Sequence, residues 1–205
     1  MNLYEIESQA IDKLTAIFEA GKGLRSTPLK RYSGPALEAW TEFVVSLIVE
    51  YLQTKYPDAR IEFDKDYIPS DFPDCSDERL DMHIKVDGKY VYLHEDRAWL
   101  DKPFYSLKRG VFKSISVSCA SKLHPNCQFG AVGFCCDYKP ELVNTFDRVF
   151  GMADCIKVYS LTGRRRNLKV KGVAVNWFET GFNEDTVREL INDIYRVIED
   201  AIITR

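Results

Sequence analysis

The chain has 205 residues, 45% of them hydrophobic, 29% charged and 13% aromatic, and 28 Lys and Arg against 31 Asp and Glu give a formal charge of -3. That length suits one domain with a sizeable core, and the composition excludes a largely disordered, collagen-like or coiled-coil chain. No apolar run approaches the ~18–20 residues of a membrane span and the N-terminus carries no leader pattern, so the sequence predicts a cytoplasmic protein with no membrane association. Taken as a sum, the near-neutral charge argues against a nucleic-acid partner.

The elements are predicted in chain order. Leu3 to Ala20 carries Ile6, Ala10, Leu14, Ile17 and Phe18 at helical spacing. A connection rich in Gly, Lys, Arg and Pro follows from Gly21 to Gly34. Pro35 then stands as the first residue of a second helix, with Leu37, Trp40, Val44, Leu47, Ile48, Tyr51 and Leu52 as its core stripe and an end near Tyr56 and Pro57. Three short strands are predicted next: Arg60 to Ile68, Leu80 to Val86 and Tyr90 to Arg97. The last two flank Asp87-Gly88, a strong hairpin signal. Pro103 opens a helix to about Cys119, and Phe129 to Cys136 reads as a strand covered on both faces. Glu141 to Phe150 reads as a helix, Asp154 to Ser160 as a strand, Gly163 to Asn167 as a basic loop and Leu168 to Phe178 as strand-like. Glu184 to Ile203 closes the chain as an amphipathic helix. The order predicts one α/β unit over residues 1–205, an α+β mixed sheet covered by helices on both sides.

Six cysteines, at positions 75, 119, 127, 135, 136 and 155, are predicted to be reduced thiols in a chain large enough to need no disulfide staples. Cys119, His124, Cys127 and Cys135 do not have the spacing of a strong zinc motif.

The informative stretch is Arg79 to Arg97. It places Asp81 near the start of one strand and Glu95 near the end of its hairpin partner, with Asp96 and Arg97 directly after. Two carboxylates at one end of a hairpin can share a hard divalent cation. Register decides whether they meet. A two-residue Asp87-Gly88 turn in an unbroken ladder sends Asp81 and Glu95 to opposite faces. A three-residue turn, or a bulge, brings Asp81, Glu95 and Arg97 to one face. The sequence leaves both registers open.

This stretch resembles the PD-(D/E)xK nuclease superfamily, type II restriction endonucleases in particular. The resemblance rests on Asp81, thirteen intervening residues, then Glu95-Asp96-Arg97, and on the order of predicted elements over about residues 35–137. It implies a restriction-endonuclease-like core, a central mixed β-sheet flanked by helices. It also implies a Mg2+ ion held by Asp81 and Glu95, with Glu38 of the second helix as a further ligand and Glu42 one turn on. The family lysine falls on Arg97, a departure from the pattern, since a guanidinium stays charged and transfers protons poorly. Lys102 or Lys108 is the alternative source of an amine. Pro73-Asp74 offers Asp74 as another first acid, less well placed than Asp81.

Charge is unevenly distributed. Lys22 to Arg31 holds four bases and no acid, and Lys157 to Lys171 six bases and no acid. Arg97 to Lys113 holds five bases against Asp101 alone. Lys108 and Arg109 are candidates to grip phosphates, and Arg164, Arg165, Arg166 and Asn167 to read base edges. The resemblance thus implies a Mg2+-dependent, sequence-specific endonuclease that hydrolyses double-stranded DNA as a homodimer, with the outer helices as its interface. A nuclease-fold binding domain without chemistry, and a resolvase or repair nuclease, are the alternatives.

Overall fold

A computed structural model describes residues 1–65, 81–100, 120–136, 156–162, 169–170, 173–174 and 176–204. The predicted helices at Pro103 and Glu141 lie outside the described residues, as do Asp74, Lys102, Lys108, Arg109, Arg164, Arg165, Arg166 and Asn167.

Helix α1 spans Leu3–Gly21 and opens on a capping box: the Asn2 side chain accepts from the Glu5 N–H, and the Glu5 carboxylate accepts from the Asn2 N–H. Helix α2 spans Ser26–Lys55, nine residues longer at its start than the sequence predicts. Pro35 therefore lies inside the helix rather than at its first turn. Tertiary packing accounts for this: Leu29 and Ser33 are buried, so the turns before the proline are held by the core despite the hydrogen bond that proline removes.

The strands are β1 (Ile61–Lys65), β2 (Met82–Val86), β3 (Lys89–Asp96), β4 (Trp99–Leu100), β5 (Leu123–Gly133), β6 (Cys135–Cys136), β7 (Ile156–Ser160), β8 (Lys169–Val170) and β9 (Val173–Ala174). The main sheet runs β1-β2-β3-β5-β7. Its first two pairings are antiparallel, and β3–β5 and β5–β7 are parallel, so the sheet is mixed as the sequence predicts. The continuous strand predicted from Leu168 to Phe178 is instead the short β8–β9 pair and a 3-10 turn at Trp177–Thr180. Asn176 cuts the run: its side chain caps that turn by accepting from the Phe178 N–H and donates to the Gly21 and Leu24 carbonyls. The closing helix α3 spans Glu184–Ile203.

The three described helices pack together on one face of the sheet. Asp96 of β3, Val132 of β5 and Tyr159 of β7 stand level in the parallel register, so their side chains share that face. From there Asp96 meets Thr41 of α2, and the Tyr159 hydroxyl donates to Asp193 of α3 at 2.8 Å. Between them lies one core that includes Leu14, Trp40, Ile48, Ile84, Phe134, Phe178 and Ile194. No described helix is long and apolar enough to cross a membrane.

The hairpin register settles how β3 presents its side chains. Asp87 and Gly88 both have positive φ, 49° and 81°, the two-residue turn that matches strand twist. Lys85 then faces Tyr90, but Ile84 faces Tyr92, so Val91 is an unpaired bulge residue. After the bulge Tyr92, His94 and Asp96 point toward the helices, while Leu93 and Glu95 point away.

Candidate functional site

At the end of β3, beside the first half of α2, lies a pocket of about 220 Å³. Glu38, Glu42, Lys65, Asp81 and Asp96 supply its charged lining, and Pro35, Ala39 and Met82 its apolar part. Glu38 and Glu42 stand one helical turn apart and so share a face of α2. Among the described lining residues, four carboxylates stand against one ammonium, a balance that favours cations.

Asp81 lies at a bend one residue before β2. Its carboxylate accepts the backbone N–H of Asp96, and its own N–H donates to the His94 carbonyl at 3.1 Å. Asp96 is 6% exposed and closes the end of β3. One of its oxygens accepts from the Thr41 hydroxyl at 2.6 Å, and the other faces His94 Nε2 at 3.0 Å. His94 Nδ1 lies 2.9 Å from the Tyr92 hydroxyl. Burial works against charge on His94, but the charge and hydrogen bond of Asp96, with Asp81 and Glu95 nearby, hold its pKa above the ordinary value. Tyr92 is pushed well above its ordinary pKa, by burial first and then by Asp96 and Asp193, and stays protonated. Lys65 Nζ reaches Glu42 at 2.7 Å across the pocket mouth.

The predicted ligands are only partly brought together. Asp81 and Glu38 line the pocket; Glu95 does not. Its neighbours His94 and Asp96 meet each other on the helix side of β3, so alternation sends Glu95 to the opposite face. There it is 1% exposed and pairs with Arg97 Nε at 3.1 Å. The bulge sets Asp81 level with Glu95, yet the Asp81 carboxylate turns toward Asp96.

Asp96, Lys65 and Thr41 were not singled out by sequence reasoning. A signal for Lys65 was present: Ile61, Phe63 and Lys65 alternate along β1, so the face that packs on the core ends at the lysine. For Asp96 the signal was its spacing from Tyr92 and His94, readable only once the bulge was known. Among the described residues no group of three or more His, Cys, Asp or Glu is arranged to hold a metal ion. The donors present are nonetheless oxygens, and Mg2+ commonly binds through one or two carboxylates and keeps several waters.

The fold and the pocket define an α+β protein with an acid-lined cleft at the end of a mixed sheet. Comparison with protein-family models and with curated proteins finds no match to this chain.

Proposed function

We propose that this protein is a Mg2+-dependent endonuclease of the PD-(D/E)xK type, acting on double-stranded DNA as a homodimer. The observation that carries the reading is the hydrogen-bonded pair Asp81 and Asp96 in one pocket with Glu38 and Lys65. Asp81 and Asp96 would hold the ion, with Glu38 reaching in from α2. Bound Mg2+ supplies a water acidic enough to attack at neutral pH and neutralises charge on the phosphoryl group. Lys65, carried on β1, orients the scissile phosphate, in place of the Arg97 that the motif position suggests. The excess of carboxylates repels a phosphate backbone that arrives without cations, so productive binding and ion loading are coupled. The long basic stretches of the sequence supply the counter-charge for the rest of the DNA. A two-fold dimer places one such site on each strand of a palindromic target.

Digestion of supercoiled plasmid with Mg2+, with EDTA, and with Asp81→Ala and Asp96→Asn variants tests the reading. Discrete fragments that need Mg2+ and vanish in both variants support it. Cutting that ignores EDTA, or survives both substitutions, overturns it. One observation favours a second reading, a nuclease-fold domain that binds without cutting: the Asp81 carboxylate already accepts a hydrogen bond from the protein. That reading predicts DNA retention without cleavage under every metal condition. Cleavage confined to branched or damaged DNA would point to a resolvase or repair nuclease.

A further inference from the structure

Behind the pocket, a string of buried polar side chains leads to Asp96; of its members the proposed reaction uses Asp96 alone. Tyr92, His94 and Asp96 alternate along β3 and reach Thr41 on α2 through three contacts of 2.9, 3.0 and 2.6 Å. Tyr92 is fully buried, and His94 and Thr41 are each 1% exposed, so the string is shielded from bulk solvent. Buried polar groups of this kind are costly unless satisfied, and here each contact satisfies two of them at once.

Its direction follows from the donor inventory. The Asp96 carboxylate only accepts, so the proton on the facing His94 nitrogen is on Nε2 whether the ring is neutral or charged. The Thr41 hydroxyl has one proton and three oxygens in reach: Asp96 at 2.6 Å, and the Leu37 and Glu38 carbonyls each at 3.1 Å. The shortest contact takes it. Asp96 is therefore gripped by one donor on each oxygen, and its backbone N–H in turn holds Asp81.

We infer that Thr41, His94 and Tyr92 form a positioning relay that fixes the Asp96 carboxylate for cation binding, while the Asp96 backbone N–H separately holds Asp81. The inference rests on the metal-dependent reading of the pocket. A carboxylate can accept more than two hydrogen bonds, and Asp96 is one of the residues that line the pocket, although its side chain is only 1% exposed. Thr41 and His94 touch no substrate in this scheme; they act through Asp96. Tyr92 acts one contact further back.

The test measures Mn2+ affinity by calorimetry and the Mg2+ concentration for half-maximal plasmid cleavage, on the full chain, with thermal melting as the fold control. Thr41→Val removes the hydroxyl at nearly constant volume, and Thr41→Ser restores it. The relay predicts affinity weakened about tenfold in Thr41→Val and kept within about twofold in Thr41→Ser. Tyr92→Phe changes an atom two hydrogen bonds from Asp96 and serves if Thr41→Val fails to fold. It predicts a loss of about threefold or more in Mn2+ affinity, with little change in kcat at saturating Mg2+. Unchanged Mn2+ affinity in folded Thr41→Val, or in Tyr92→Phe, overturns the relay while leaving the nuclease reading intact. A wild-type protein that neither binds Mn2+ nor cleaves overturns that reading, and the relay with it.

Discussion

The backbone N–H of Asp96 donates to the carboxylate of Asp81, fifteen residues earlier in the chain, and ties the end of β3 to the bend before β2. The bond places an acid at the end of β3 and an acid at the bend before β2 in one pocket before any ligand arrives. Asp81→Asn keeps an acceptor for that bond and removes the charge. Mg2+-dependent cleavage should fall at least about a hundredfold, with the melting temperature within about 3 °C of wild type. Plasmid nicking and a thermal melt check both halves.

Lys65 and Arg97 lie on opposite sides of the sheet: Lys65 lines the pocket, and Arg97 pairs with Glu95 on the face turned away from it. Lys65→Ala should lower the cleavage rate about tenfold or more, because it removes the only ammonium among the described lining residues. Arg97→Ala should leave the rate within about threefold and cost about 1 kcal/mol of stability, since it strips a half-exposed partner from buried Glu95. Rate assays and urea titrations on the two variants distinguish the residues. The opposite ranking would return Arg97 to the motif role its position suggests.

Gly130 lies in β5 opposite His94, and a Cβ there would fall on the Tyr92 hydroxyl and within 2.6 Å of its Cζ. Gly130→Ala should therefore displace Tyr92 from His94 and destabilise the fold by about 1–3 kcal/mol. Urea denaturation measures the loss, and Gly34→Ala, where the added carbon meets nothing within 4 Å, is the control.

Away from the pocket, Glu199 on α3 accepts from Lys55 at 2.7 Å, from Tyr195 at 2.6 Å and from Tyr56 at 2.8 Å. Partial burial raises its pKa, but the three donors outweigh burial and hold it below the usual carboxylate range. A carboxyl depressed in the folded state contributes stability above its unfolded pKa, and loses it as pH falls through the folded one. Glu199→Gln should thus melt about 2 °C below wild type at pH 7, with the gap closing as pH falls below about 4. Melts across that range show whether the gap closes.

Most of the fold was legible because periodicity reports burial directly. Glu184–Ile203 was readable from its apolar stripe, and a hairpin at Asp87-Gly88 from two residues that tolerate positive φ, while the length of its turn and the register were left open. The early start of α2 was not legible: Gly34-Pro35 reads locally as a boundary, and only the burial of Leu29 and Ser33 overrides it. The pocket was half legible. Asp81 and Glu38 were found by motif and helix position, whereas Asp96 was hidden behind Glu95 by the bulge at Val91. A bulge depends on how two strands settle against a third layer, and no pattern within the strand itself announces it.

That bulge has a consequence for how this strand end could change. Glu95 and Asp96 are adjacent acids on opposite faces, and Val91 is where the strand shifts its parity. The same residues laid into an unbroken ladder would turn Glu95 and Arg97 toward α2 and send Asp96 away. Which acid serves the helix side is thus written in the spacing of the hairpin and not in the identity of either residue. A shift of one position could exchange them without a single substitution at the site.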